Sequence, residues 1–342
     1  MNILVTGAGS LIGHGVLRSI QQMDSKSLKI FTADPDHRSA GHWLGNVGLR
    51  IPLAKDPEYI TELIKLVDEN QINVVFIGTD PELLKISKAL EQIKATVVVS
   101  NPSVIRIGDD KWETVKFLKE NGFAFPDSAL MENPVEVKEL ISRCGFPLIA
   151  KPRVGARSTG VVKLENESDL NLIKGREDYI IQEYLPEAEG EFTAGTLTYD
   201  GVCYSQVIFR RDLKDGNTYR AYLYRNEVHE AYLKKVSIAL TGTYGPLNFQ
   251  YRIKNGLPVI FEINSRFSGT TPLRAAVGIN EVEMALEYID KGQIEKRSLM
   301  NQEVAIFRTW SDIIVPMEQV DEFVKTDHLI NPKAKYFPFI RE

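Results

Sequence analysis

The sequence has 342 residues, 43% hydrophobic and 25% charged, an ordinary balance for a soluble globular protein and a length that calls for two or three cores. A net charge of −5 offers no general attraction to nucleic acid or to an anionic membrane, so neither is expected as a partner. The two cysteines, Cys144 and Cys203, have no metal-ligand spacing and no stretch reads as a leader or a membrane span, which together point to the cytoplasm.

The first hundred residues alternate short apolar strands with helices. Strands are predicted at Asn2–Thr6, Leu28–Ala33, Asn73–Ile77 and Thr96–Val99, with helices from the glycine turn to about Met23, at Glu58–Glu69 and at Pro81–Ile93. That alternation predicts a parallel α/β layer over residues 1–100. The turn Gly7 to Gly15, GAGSLIGHG, supports two readings. A dinucleotide site would use Asp34 as its ribose acid, but Ile12 and Ser10 stand where the fingerprints need glycine. The plainer reading is a tight strand-to-helix turn with close packing. Gly78-Thr79-Asp80 ends another strand, at the sheet edge where a small ligand would sit.

Asn101-Pro102-Ser103 marks a boundary. A helix over Asp109–Asn121 carries Lys111. The strand Phe146–Lys151 ends in a lysine, and Arg153 to Gly160 forms a loop of small residues and arginines. Such a loop can wrap phosphates with backbone N–H groups and cations, or be an ordinary hairpin loop. The strand Tyr179–Tyr184 leads into Leu185-Pro186 and can offer its edge to a flat heterocycle. Glu191 opens a further strand, Glu191–Thr198, which turns at Asp200-Gly201 into Val202–Arg210. Arg210, Arg211, Lys214, Arg220 and Arg225 then make a basic strip, read either as a charged loop with an edge strand or as a trap for an anion.

The helix Glu227–Leu240 leads to the stretch with most chemistry, Pro246 to Arg274. Leu247, Phe249 and Tyr251 alternate with polar residues, Asn255-Gly256 turns the chain, and Val259, Ile260, Phe261 and Ile263 return it. Glu262 and Asn264, spaced i, i+2, share one face, with Gln250 placed to sit opposite. One carboxylate and two amide carbonyls are hard oxygen donors, the set that suits Mg²⁺ beside nucleotide phosphates. Arg266, on the same parity, is placed to meet a phosphate or a developing anion.

In this order the pieces resemble the ATP-grasp superfamily, most nearly its members that are like the large subunit of carbamoyl phosphate synthase. The resemblance runs from about residue 1 to 290. It implies a Rossmann-like domain at 1–100, then a two-lobed α+β ATP-grasp domain. Its N-lobe would span 101–180, with a mobile lid at about 123–172, and its C-lobe 181–300. Residues 301–342 would form a small α/β extension. Carried over to this sequence, it implies that Lys111, Lys151, Arg153, Gly155 and Ser158 contact ATP phosphates or form the flap over them. Gln182, Glu183, Tyr184 and Leu185 would border adenine, and Glu191 would hold ribose. Gln250, Glu262 and Asn264 would hold one or two Mg²⁺ ions, with Mn²⁺ as an alternative. Lys151 and Arg266 would be catalytic. The implied activity is an ADP-forming ligase joining a carboxylate to an amine through an acyl phosphate. A split-gene carbamoyl-phosphate synthase component with a partner subunit, an NAD(P)-dependent oxidoreductase and a non-catalytic ATP-binding module stand as alternatives. Relatives of this kind are often homodimers.

Overall fold

The chain is described here by a computed structural model covering residues 1–24, 26–155, 159–309 and 311–337. Near its N-terminus the apolar strands pair in parallel, as their helix-separated spacing requires. The sheet order is His328–Ile330, Val47–Arg50, Lys29–Asp34, Asn2–Val5, Val74–Phe76, Thr96–Val98. Ile3, Val5 and Phe76 face one core and Leu4, Val75 and Val97 the other, so both faces of this sheet are covered. Two of its strands lie outside the sequence expectation. Val47–Arg50 has only four residues, one a glycine, and gives little strand signal. His328–Ile330 arrives from the far end of the chain and adds antiparallel to Val47–Arg50.

The helix expected over Asp109–Asn121 is Lys111–Glu120, and a further helix, Pro102–Asp109, precedes it. Asp110 is extended, with φ −104° and ψ 114°, and its carboxylate accepts from the backbone N–H of Trp112. An aspartate that caps the second helix interrupts the first.

A four-stranded antiparallel sheet follows, in the order Ser128–Leu130, Tyr179–Glu183, Leu148–Pro152, Val162–Leu164. The helix Pro134–Cys144 packs on it through Val137 and Leu140. The largest sheet has six antiparallel strands: Leu257–Asn264, Gly245–Lys254, Glu191–Tyr199, Val202–Lys214, Asn217–Tyr224 and Ala305–Phe307. Its second and third members in chain order, Val202–Lys214 and Asn217–Tyr224, extend the basic strip into a second hairpin. That hairpin turns at Asp215-Gly216, whose φ values of +51° and +70° are those of a tight hairpin turn.

Helix Glu227–Ala239 covers one face of the large sheet through Leu233 and Val236. On the other face Leu197, Phe209 and Val282 share a single core with Ile3, Val16 and Phe76 of the first sheet. Beside this shared core lies a buried ion pair, Arg274 with Glu281, both 0% exposed. Arg274 Nε and NH2 donate to Glu281 at 2.8 and 2.7 Å, and the same guanidinium donates to the hydroxyls of Thr270 and Thr271 at 2.7 and 3.1 Å. Gly195 makes room for it: a Cβ there would come within 2.2 Å of the guanidinium.

Candidate functional site

The Asn255-Gly256 turn sets the register of the hairpin Gly245–Lys254 and Leu257–Asn264, placing Gln250 opposite Glu262 and Asn248 opposite Asn264. The register shifts by one residue between Gln250 and Tyr251. A bulge of this kind turns two successive side chains to the same side. Phe261 is therefore not a core residue like Ile260 and Ile263. It stands in the cleft wall beside Glu262. Gln250 Nε2 and Asn264 Nδ2 donate to Glu262 Oε1 at 3.0 and 2.9 Å.

Around this carboxylate the other sheet elements assemble a cleft. Lys151, at the end of the strand Leu148–Pro152, lies over the Phe261 ring with Nζ 5.2 Å from its centre. Lys111 is the first residue of its helix, and its Nζ donates to the carbonyl of Gly155 at 3.0 Å. Both lysines are buried, at 7% and 8% exposure, with no carboxylate bonded to either ammonium among the described residues. Burial first, and the neighbouring Lys111 charge after it, push Lys151 down to about 7. Two buried lysines with no carboxylate bonded to them among the described residues are arranged to receive an anion.

At the far end of the cleft are Gln182, Glu183, Tyr184 and Leu185. Their side chains serve the scaffold: Gln182 Nε2 donates to Ser128 Oγ at 2.9 Å, Glu183 binds Lys254, and Tyr184 donates to Glu187. Glu191 accepts from Arg211 Nε and NH2 at 3.2 and 2.6 Å and from Arg252 at 3.4 Å. Arg211 also donates to Gln250 Oε1 at 2.6 Å. The strip thus supplies one arginine to the centre of the site, which pattern reasoning had left between two readings. Arg153 differs from its expected place. Its guanidinium pairs with Asp110 at 2.6 Å and ties the loop base to the helix start, so it does not face the cleft. Ser158 lies outside the described residues.

A second cavity, of about 610 Å³, opens on the other side of Glu262, Gln250 and Arg211, towards the parallel sheet. Arg266 stands in its wall and reaches a residue 186 positions away in the chain. Its Nε donates to Asp80 Oδ1 at 2.7 Å and its NH2 to Asn264 Oδ1 at 2.8 Å. Asp80 begins the helix Asp80–Lys88 beside the loop expected to face a ligand. The two cavities share Arg211, Gly216, Gln250 and Glu262 as a common wall.

The donor set tests well against a hard divalent cation. One carboxylate and two amides fit an ion that draws its remaining oxygens from phosphate and water. The amide nitrogens now face Glu262, while the amide oxygens accept from Arg211 and Arg266. Half a turn of either amide exchanges those roles.

The glycine turn lines the second cavity and is braced from within. Asp34 accepts from Gly9 N at 2.8 Å, from Asp36 N at 3.0 Å and from Ser39 Oγ at 2.7 Å, so its carboxylate braces the loop. Ser10 caps its own helix by accepting from Gly13 N at 2.8 Å.

Residues 108–270 match the sequence profile of the ATP-grasp domain. Just under half of the chain is thus similar to the ATP-grasp domain. Over 315 residues it is 22% identical to the carbamoyl phosphate synthase large chain of Thermoanaerobacter pseudethanolicus, covering 83% of this chain and 28% of that protein. It therefore spans little more than a quarter of such a relative. The fold is that of N5-carboxyaminoimidazole synthetase from Staphylococcus aureus in complex with ADP, with a TM-score of 0.70 and 14% identity, covering 95% of this chain and 85% of the other. Biotin carboxylase from Campylobacter jejuni shares it too, with a TM-score of 0.69 and 14% identity, covering 87% and 73%. The profile takes in both lysines, the cleft and the ATP-grasp hairpin as far as Thr270. No helix among the described residues is long and apolar enough to cross a membrane.

Proposed function

We propose that this protein is an ADP-forming ligase that activates a substrate carboxylate with ATP and joins it to an amine. The observation that carries the reading is the common wall. A cleft with two buried lysines and a second cavity meet at Glu262, Gln250 and Arg211, so a γ-phosphate lodged in one reaches an acceptor held in the other.

In the proposed reaction a carboxylate oxygen attacks the γ-phosphorus and ADP leaves. The amine nitrogen then attacks the acyl carbon, phosphate departs, and the amine gives up a proton. Lys111 and Lys151 bind the phosphates and Arg266 offsets charge on the phosphoryl group as it moves, which is catalysis by position and electrostatics. Mg²⁺ held at Glu262, Gln250 and Asn264, or Mn²⁺ in its place, would supply charge neutralisation between the β- and γ-phosphates. The bulged Phe261 and the strand Tyr179–Glu183 bound a slot for adenine, and Glu191 is placed for ribose hydroxyls. The second cavity bears on the acceptor. With water taking about 30 Å³ in the liquid, about 610 Å³ is far more than a bicarbonate ion needs. A larger acid or amine fits better than carbamoyl phosphate synthesis by this chain. We propose a cytoplasmic enzyme, with a homodimer as its assembly.

The direct test is ADP release screened over pairs of carboxylates and amines. Release that needs both members supports the ligase. Nucleotide binding without stimulated release by any pair would leave an ATP-binding module instead.

Lys151 gives a prediction about pH. Phosphate favours the charged ammonium, so the complex keeps a proton that the free protein sheds above about pH 7. Affinity for Mg·ATP is expected to fall as pH rises from 7 to 9, with proton uptake approaching one per nucleotide near pH 8. Calorimetry in buffers of different ionisation enthalpy measures that uptake. Lys151→Ala should bind weakly and take up no proton, and a wild-type enthalpy independent of buffer would refute the assignment.

A further inference from the structure

The acceptor-side cavity contains a cation that the reaction above does not use. Arg308 follows the edge strand Ala305–Phe307 and lines the cavity. Its NH1 donates to the Thr218 carbonyl at 3.3 Å, and Arg211 NH1 donates to the hydroxyl of the same threonine at 3.3 Å. Two guanidiniums thus flank one residue. Their partners differ. Arg211 is paired with Glu191 at 2.6 Å, and Arg266 in the same cavity is paired with Asp80 at 2.7 Å. Among the described residues no carboxylate lies within ion-pair distance of Arg308.

Its surroundings disfavour a lone cation. The guanidinium is half-buried, Leu11, Ile12 and Ile51 give the cavity an apolar side, and Arg18, of like sign, acts on it. A desolvated charge without a partner is costly. A planar fork of N–H donors facing a cavity is the group best matched to a carboxylate or phosphate.

We infer that Arg308 is the anchor for a second anionic group, a carboxylate or phosphate, carried by one of the two substrates and separate from the carboxylate that is phosphorylated. The inference rests on the ligase reading and adds the substrate class: the acid is a dianion, or the amine is itself anionic. Arg308 binds and orients, while the phosphoryl chemistry stays at Glu262 and Arg266. The apolar side between them accommodates the body of the molecule.

The test begins without turnover. The nucleotide cleft is filled with Mg²⁺ and a non-hydrolysable ATP analogue, and inorganic phosphate and succinate are titrated into the full chain by calorimetry. Wild type is expected to bind at least one of them at one site per chain. Arg308→Gln should weaken that binding by about tenfold or more, the effect of losing a charged hydrogen-bonding partner. Arg308→Lys should recover part of it, and both variants should retain the analogue's affinity. No binding to wild type, or equal binding to Arg308→Gln, overturns the proposal. An ADP-release screen forms the second arm, comparing mono- and dianionic acids against neutral and anionic amines. Arg308→Gln should raise KM about tenfold for the member that carries the extra anion and leave KM for ATP unchanged, which identifies the source. Productive pairs without an extra anion, or unchanged KM for both members, overturn it. If no pair releases ADP, the ligase reading fails while the anion site is still decided by the titration.

Discussion

Glu262→Gln is expected to reduce acceptor-stimulated ADP release on the order of 10³-fold, with the melting temperature unchanged. The size follows from charge neutralisation worth several kcal/mol, at 1.36 kcal/mol per decade of rate. Glutamine keeps the shape, and its carbonyl can still accept from Gln250 and Asn264. What is lost is the single carboxylate of the proposed metal set. The variant should therefore bind ADP normally without divalent cations and fail to gain affinity when Mg²⁺ is added. Calorimetry with and without Mg²⁺ separates loss of the metal from damage to the cleft. Wild-type turnover would remove Glu262 from the mechanism.

Arg274→Leu should have the largest effect on stability, about 3–5 kcal/mol, the cost of leaving one partner of a buried ion pair alone. It strands Glu281 at 0% exposure and removes the donors that hold Thr270 and Thr271 beside the second cavity. The double change Arg274→Leu with Glu281→Leu should cost less than the single one, because no buried charge remains. The pH response has a definite sign. Burial raises the Glu281 carboxyl and Arg274 pulls it back down. Without the arginine the folded pKa rises further above the unfolded one, so the folded variant binds more protons. The stability it gains in this way is present below the unfolded carboxyl pKa and is lost as pH rises through the folded one. The deficit relative to wild type should accordingly be smaller at pH 5 than at pH 8. Urea unfolding at the two pH values measures it; an equal deficit at both would mean that Glu281 is not the stranded charge.

Much of the site was legible because local rules fix it. The Asn255-Gly256 turn sets a register, and two-residue alternation then dictates that Gln250, Glu262 and Asn264 share a face. The lysine-ended strand and the turn at Leu185 carry similar local signals, and their order along the chain carries the resemblance to the ATP-grasp superfamily. Other features depend on what local pattern does not encode. Phe261 alternates like a core residue, and only the bulge turns it into the cleft. Asp110 looks like a helical residue until its capping bond to Trp112 is seen. The pairing of Arg266 with Asp80 joins residues 186 positions apart, and nothing in either segment specifies it. The second hairpin was within reach: Asp215-Gly216 is the same kind of turn signal as Asn255-Gly256, set among charges that obscured its flanking alternation.

The strands Ala305–Phe307 and His328–Ile330 join one stretch of chain first to the edge of the six-stranded sheet and then to the edge of the parallel one. Mechanically this is a strap across two lobes that already share a core. Swinging one lobe away from the other would require unzipping a row of backbone hydrogen bonds as well as exposing apolar surface. The four-stranded sheet lies outside that loop and is held by neither pairing. The spacing of Arg266 and Asp80, and of Arg308 and Arg211, is thereby set within the strapped pair of sheets, as between the clamped jaws of a vice.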